Sequence, residues 1–131
     1  MRRHDWAERM FAEIDAHANK EFDWGKNDCC LFAARVVDAM CDTKYEAALS
    51  QHYYDEETAL VYIKESSGIA EAVSTYIGEP KEGRPKRGNV VLIHFNNRDA
   101  LGICVGSSIA VQTTNGVSYA PRNTVLKVWS I

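Results

Sequence analysis

Apolar residues recur at helical spacing through the first half of the chain and in short, strand-like runs through the second. In residues 5–20 they fall every three or four positions and predict a first helix. Its apolar face consists of Trp6, Met10, Ile14 and Ala18, with Phe11 alongside. Asp5 followed by Glu8 three residues later is typical of a capping box, so this helix is expected to begin after Asp5.

A second helix is predicted within FDWGKNDCCLFAARVV, residues 22–37. Gly25 interrupts the preceding chain, and either Asn27 or Asp28 has a side chain that suits the N-cap position. The apolar positions that follow at helical spacing are Cys29, Phe32, Ala33, Val36, Ala39 and Met40. We expect Phe32 and Val36 to be fully buried between this helix and the sheet.

Two shorter helices and a polar connector are predicted next. Residues 55–66 begin with Asp55, residues 68–78 have apolar side chains on one side, and Gly78 ends the second of these segments. The connector, residues 79–88, is rich in proline, glycine and basic residues and is expected to be exposed.

The pattern then changes to short runs rich in Val and Ile that are separated by turn residues, which predicts an antiparallel meander. The sequence therefore predicts an α+β fold in which N-terminal helices pack on a C-terminal antiparallel sheet. We expect one domain over residues 1–131, with a helical half at 1–78, the connector at 79–88 and a β-sheet half at 89–131.

Charge and hydropathy exclude several classes of partner. The net charge of −3 provides no general attraction to nucleic acid or to an anionic membrane. The longest aliphatic run, VVLI at residues 90–93, is too short to span a bilayer, and residues 1–10 lack the apolar segment of a signal peptide. We therefore expect no nucleic-acid partner, no membrane insertion and synthesis in the cytoplasm.

The cysteines are the first candidates for chemistry, and they are Cys29, Cys30, Cys41 and Cys104. None forms a Cys-x-x-Cys pair and no histidine stands at metal-ligand spacing beside them, so we expect neither a metal nor a cofactor. Disulfides are disfavoured in a cytoplasmic chain. Cys41 and Cys104 are expected to fill apolar space.

Cys29 stands at the predicted start of the second helix, where backbone dipoles favour a thiolate over a thiol. Adjacent side chains on a helix diverge by about 100°, so Cys30 is not expected to share a cleft with Cys29. Cys29 lies on the same side of the helix as Ala33 and Val36, which is the side predicted to face the sheet.

Four motifs carry a family resemblance, and they are WGKNDCCLFAA at 24–34, RGNVVLI at 87–93, ALGICVG at 100–106 and SIAVQ at 108–112. A helix with Cys at its N-terminus followed by an antiparallel sheet resembles the papain-like superfamily. The motifs are similar to those of its NlpC-type cell-wall cysteine peptidases, with Asn89 in place of the usual Asp. The first thirty residues also resemble a small branch that is common in phage tail gene clusters.

The resemblance implies a role for three positions. Cys29 matches the family's nucleophile, and Gln112 falls where a polar residue orients the catalytic histidine. The histidine itself stands two residues before the glycine of ALGI in the family, and that position is Ala100 here. The resemblance therefore implies a site without its aligned base and with weak or absent peptidase activity.

His94 is the possible substitute base, because it is the only histidine in the sheet half. If residues 96–99 form the whole hairpin loop, Phe95 pairs with Ala100 and His94 points to the opposite face. A loop of five residues would instead pair His94 with Ala100. The remaining histidines are expected to be solvated, and they are His4, His17 and His52.

Two main functions are compatible with this reading. The first is an NlpC-like module that lacks its base and serves in phage tail assembly or partner recognition. The alternative is an active cysteine hydrolase that cleaves peptidoglycan stem peptides. The partners expected are accordingly phage tail proteins or peptidoglycan peptides, and incorporation in a phage virion is implied. An effector or immunity protein on the same scaffold is a third alternative.

Overall fold

The computed structural model describes residues 1–131 as helices followed by an antiparallel sheet of five strands. The helices are α1 (Trp6–Ala16), α2 (Cys29–Cys41), α3 (Tyr45–Leu49), α4 (Glu56–Glu65) and α5 (Ile69–Ile77). The strands are β1 (Val90–Phe95), β2 (Arg98–Cys104), β3 (Ser108–Thr113), β4 (Gly116–Pro121) and β5 (Val125–Trp129). The predicted α+β class is therefore confirmed, and none of the helices has the length and hydropathy of a membrane span.

The strands lie in the order β4-β3-β2-β1-β5. The predicted meander is confirmed for β1 to β4, but β5 pairs with β1 at the opposite edge. A short 3₁₀ turn, Arg122–Thr124, precedes this last strand. At that edge Val128 and Trp129 become buried, and the Trp129 indole N–H donates to the Gly78 carbonyl at 3.0 Å, which joins the sheet to the end of α5.

The main core lies between α1, α2 and one face of the sheet. Phe32 and Val36 are both 0% exposed there, as their position on the helix predicts. Facing them from the sheet are alternate residues of β1 and β2, namely Val90, Leu92, Leu101 and Ile103. Burial of these branched and aromatic side chains is the main source of stability in this part of the molecule.

The other face of the sheet is buried as well. Its side chains form a second apolar group that comprises Val91, Ile93, Ala100, Cys104, Ile109, Val111, Ala120 and Val128. The sulfur-bearing side chain of Cys29 also belongs to this group. Because both faces are covered, β1 reads as a continuous apolar run rather than an alternating one.

Helices α3 to α5, residues 45–77, form a layer over α2 and the sheet that we name the helical cover. The predicted helices at 55–66 and 68–78 are confirmed as α4 and α5, whereas the short α3 lacks a sequence signal. Asp55 caps α4 through the Thr58 amide at 2.9 Å. Few side chains of the cover are fully buried.

Several local predictions for α1 are wrong. Asp5 makes no capping bond and instead accepts from the Arg9 guanidinium at 2.9 Å. Phe11 is 40% exposed, and Ala18 lies beyond the end of the helix. Met10 and Ile14 are the only fully buried residues of this helix, and Trp6 packs against the same core while partly exposed.

Candidate functional site

The site is built on the N-terminus of α2, where Asp28 is the N-cap. Its Oδ1 accepts from the Leu31 amide at 2.9 Å and from the Tyr53 hydroxyl at 3.0 Å, and its Oδ2 accepts from the Gly25 amide at 3.1 Å. Asp28 is 0% exposed. Of the two N-cap candidates the structure therefore selects Asp28, and three hydrogen bonds fix the start of the helix.

Gly25 brings the loop after α3 against this helix start. Its φ is +84°, and a Cβ there would lie 2.3 Å from the Tyr54 carbonyl carbon. Any other residue would push the Tyr53–Tyr54 backbone away and lengthen the hydrogen bond to Asp28. Gly25 thus serves close packing in addition to interrupting the chain.

Cys29 is buried directly after the cap, and its pKa is lowered. The largest cause is the neighbouring Cys30 thiol, which stabilises the Cys29 thiolate, and the Leu101 backbone amide and the positive charge of Arg98 act in the same direction. Burial and the Asp28 carboxylate oppose the shift. The arrangement favours a reactive thiolate at Cys29, the position predicted from the helix terminus.

Cys30 has the opposite character. The Cys29 sulfur and burial raise its pKa well above the ordinary value of a thiol, so Cys30 keeps its proton and can donate it in a hydrogen bond to the Cys29 sulfur. The two side chains are not separated as predicted: Cys30 packs against the apolar group to which Cys29 belongs, and it also lines a cavity beneath the helical cover.

Ala100 belongs to the same apolar group as Cys29, and its register is set by a tight hairpin. The turn has only two residues, Asn96 and Asn97, with φ of 55° and 63°. Ile93 therefore pairs with Ala100, and neither predicted loop length is correct. Asn tolerates positive φ, which suits this short turn. The four-residue loop nevertheless predicted the correct face for His94, opposite to that of Ala100. The observed two-residue turn differs from it by two residues, and an even shift leaves each side chain on the same face.

His94 points away from Ala100 and lies at the exposed end of the hairpin. It pairs with Asp99 across the strands, and the His94 Nδ1 lies 2.8 Å from the Asp99 Oδ1. The imidazole is 57% exposed and makes no hydrogen bond to Cys29. The structure does not bring this candidate base to the thiol.

Gln112 is buried on the face of the sheet that the helices cover. Its Nε2 donates to the Lys20 carbonyl at 2.7 Å and to the Thr113 carbonyl at 3.0 Å. Its Oε1 is buried without a partner. The side chain therefore holds the loop between α1 and α2, and no imidazole lies within hydrogen-bond distance of it.

The other histidines differ from one another. His17 is 5% exposed, so its predicted exposure is wrong: its Nδ1 donates to the Glu13 carbonyl at 2.9 Å, and its ring packs edge-on against Phe32. The end of α1 lies against α2, which removes this imidazole from water. His4 and His52 are exposed as predicted, and the His52 ring stacks on Tyr62 with 4.6 Å between the ring centroids.

Tyr53 is the site residue that sequence reasoning missed. It is 4% exposed, and burial together with the neighbouring thiols and Asp28 raises its pKa, so it stays a hydrogen-bond donor. It is 25 residues from Asp28 in the chain, and no spacing connects the two. Its only signal in the sequence is an aromatic residue two positions before Asp55, the acidic N-cap of α4.

The comparisons add a family assignment to this geometry. No group of three or more His, Cys, Asp or Glu side chains is arranged to hold a metal ion. None of the curated proteins compared with the chain is significantly similar to it. A family model matches residues 1–131, and the chain thus belongs to the family described as a domain of unknown function, DUF6950.

Proposed function

We propose that this chain is a papain-like, NlpC-type module that keeps the nucleophile position, Cys29, but lacks a catalytic base, and that it serves as a phage or prophage tail-associated binding domain with weak or absent peptidase activity. The order of elements supports the proposal, since a helix that begins with Cys precedes an antiparallel sheet. The motifs at residues 24–34 and 100–106 support it as well.

One observation carries the proposal: Ala100 on β2 belongs to the same apolar group as Cys29, and His94 makes its hydrogen bond to Asp99 rather than to the thiol. Cleavage of an amide requires a proton for the leaving amine, and general acid–base assistance is worth roughly 10²–10⁴-fold in rate. Tyr53 cannot replace the base, because its hydroxyl is committed to Asp28 and its pKa is raised.

The second candidate function is an active cysteine hydrolase that cleaves peptidoglycan stem peptides. The lowered pKa of Cys29 favours it, because a preformed thiolate can attack a carbonyl without a base. The Leu101 amide that stabilises this thiolate lies on the same strand as Ala100.

An assay on muropeptides separates the two candidates. The wild-type chain, Cys29→Ala and His94→Ala are incubated with purified muropeptides, and products are followed by mass spectrometry, with Cys41→Ala as a matched thiol control. We expect no product, or turnover at least about 10²-fold below that of an intact NlpC peptidase. Cleavage that is retained in Cys41→Ala and lost in both Cys29→Ala and His94→Ala would establish the hydrolase and refute the proposal.

Thiol reactivity tests the state of Cys29 independently of turnover. With brief iodoacetamide treatment of the folded protein at neutral pH, we expect Cys29 to be alkylated first, because the pKa of its thiol is lowered whereas burial raises that of Cys41. As the pH falls, the Cys29 rate should persist to lower pH than the Cys41 rate. Urea-unfolded protein is the control, in which the preference should vanish. Earlier labelling of any other cysteine would contradict the lowered pKa.

The tail association has its own test. We infer that the chain is made in the cytoplasm and incorporated into the virion, and the resemblance of the first thirty residues to the tail-cluster branch supports this. Mass spectrometry of gradient-purified virions from a phage that encodes the chain should detect it at a fixed ratio to the tail proteins. Its absence from virions, with expression detected in the host, would remove the tail role.

A further inference from the structure

A cavity beneath the helical cover is not used by the proposed chemistry of Cys29. It has a volume of about 60 Å³ and lies between α2, the sheet and helices α3 to α5. All 16 residues that line it are hydrophobic, and they include Cys30 and Ala34 from α2, Tyr62 from α4 and Ala72 from α5. Most of these side chains are half-buried, so the cavity lies close to the surface.

Three of the four tyrosine hydroxyls that line the cavity already have partners, and the fourth belongs to the half-buried Tyr45. The hydroxyls of Tyr62 and Tyr76 lie 3.3 Å apart and share a hydrogen bond, and the Tyr53 hydroxyl donates to Asp28. The buried polar atoms without partners belong to Arg2, Arg3 and Gln112, none of which lines the cavity. An apolar occupant therefore leaves no buried polar atom of the cavity unpaired, whereas a charged occupant would lose its hydration without compensation.

The volume restricts the occupant further. About 60 Å³ is roughly two water volumes and well below the ~150 Å³ cavity that accepts benzene. A branched aliphatic side chain approaches this size, whereas an aromatic ring exceeds it. Insertion of an aliphatic side chain is favourable, because it removes apolar surface at the cavity mouth and on the side chain from water.

Charge defines what surrounds the aliphatic group. The helical cover, residues 45–77, contains six acidic residues and only one basic residue, hence a net charge of −5, although the whole chain is only −3. Glu57 and Glu65 are exposed on α4, the same helix that supplies Tyr62 and Ile63 to the cavity wall. Cationic groups that flank an inserted aliphatic side chain would be attracted to this surface.

We propose that the cavity is a docking site for a basic protein segment, which inserts one Leu, Ile or Val side chain between α2 and the helical cover and pairs its flanking Lys or Arg side chains with the carboxylates of α4. The site is independent of whether Cys29 is catalytic. The proposed site gives the helical cover a role in binding a partner. The core contributes only the wall of the cavity that α2 and the sheet form.

A selection experiment identifies the segment. A display library of random heptapeptides is selected on the wild-type protein. We expect enrichment of sequences with an aliphatic residue flanked by Lys or Arg. Ala34→Leu, which fills the cavity, should abolish binding, while Ala47→Leu, the same change at an exposed position of α3, should leave it intact. No enrichment, or enrichment retained by Ala34→Leu, would overturn the proposal.

Thiol protection locates the bound peptide without any activity measurement. Cys30 lines the cavity and Cys41 on the same helix does not. At a peptide concentration of about ten times its Kd, mass action predicts about tenfold slower alkylation of Cys30, with Cys41 unchanged. Equal rates with and without peptide would place binding elsewhere and refute the site.

A charge variant keeps the test valid if Ala34→Leu does not fold. Glu57→Gln with Glu65→Gln changes two exposed side chains, and it should weaken peptide binding about 3–10-fold at low salt and less at high salt. Unchanged affinity would refute the role of the acidic cover. Protection of Cys30 by butylammonium but by no peptide would show a small-molecule site and would also overturn the proposal.

Discussion

The core around α1, α2 and the sheet differs from the helical cover in how completely its side chains are buried. Large side chains such as Phe32, Met10 and Trp129 are at most 1% exposed in the core. The helices of the cover bury only the small Ala59 and Ala72 and leave a cavity beneath them. Stability is therefore concentrated in the core, and the cover provides a charged surface that can change without loss of the fold.

Two N-caps show the same difference on a smaller scale. Asp28 in the core is 0% exposed and accepts three hydrogen bonds, one of them from Tyr53 of the segment before α4. Asp55 in the cover is exposed and bonds only within its own first turn, to Thr58. The buried cap positions a cysteine and joins two layers, whereas the exposed cap starts one helix.

The largest difference should appear on truncation of side chains. Phe32→Ala should lower the free energy of unfolding by about 3–5 kcal/mol, because it leaves a cavity in a fully packed core. Ile69→Ala on α5 should cost less than about 2 kcal/mol, since this side chain is half-buried beside an existing cavity. Urea unfolding followed by circular dichroism measures both. A loss below roughly 1 kcal/mol for Phe32→Ala would mean that its helix face is misplaced.

The two caps provide the next comparison. Asp28→Ala should cost about 2–3 kcal/mol, because it removes the cap and leaves the buried Tyr53 hydroxyl without an acceptor. Asp28→Asn keeps an acceptor and should cost less. Asp55→Ala should cost less than Asp28→Ala in the same denaturant melts. Equal losses would contradict the difference between the two regions.

The Asp55 cap also has a pH dependence. The Thr58 amide and hydroxyl lower the pKa of Asp55 in the folded protein. The contribution of this carboxylate to the free energy of unfolding is therefore present above the pKa of the unfolded state and is lost as the pH falls through the folded pKa. The stability difference between wild type and Asp55→Ala should therefore shrink on acidification. Melts at several pH values below neutrality check this, and a difference that grows with acid would be contrary to the sign of the shift.

The smallest effect needs no substitution. Amide hydrogens of α4 and α5 should exchange about tenfold or more faster than those of α2, because the cover opens without disrupting the main core. Hydrogen–deuterium exchange with mass spectrometry resolves the three helices. Equal protection would mean that the core and the helical cover unfold as one unit, and it would contradict the proposed difference in stability between them.

Much of the fold could be predicted from hydrophobic spacing. The start of α2 and the burial of Phe32 follow from the N-cap pattern and the helical period, and both are confirmed. The capping box at Asp5 failed because Arg9 competes for its carboxylate. The return of β5 to β1 was missed, since no local pattern states which edge of a sheet a last strand will join.

The site was predictable in part. The position of Cys29 at the start of α2 could be predicted from the N-cap pattern. The burial of His17 could not, because it depends on how the end of α1 meets α2. Gln112 was expected to orient an imidazole, and its contacts with the loop between α1 and α2 arise only when that loop lies over β3.

The sequence by itself determined the helix that presents Cys29 and the strands that follow it, because these depend on local spacing and on residue identity. Only the tertiary structure decided which groups surround the thiol. The Asn96–Asn97 turn sends His94 to solvent, and Gly25 permits the approach that hydrogen-bonds Tyr53 to Asp28. The physical reason is that register and long-range packing set the surroundings of the thiol, and neither is encoded in the spacing of neighbouring residues.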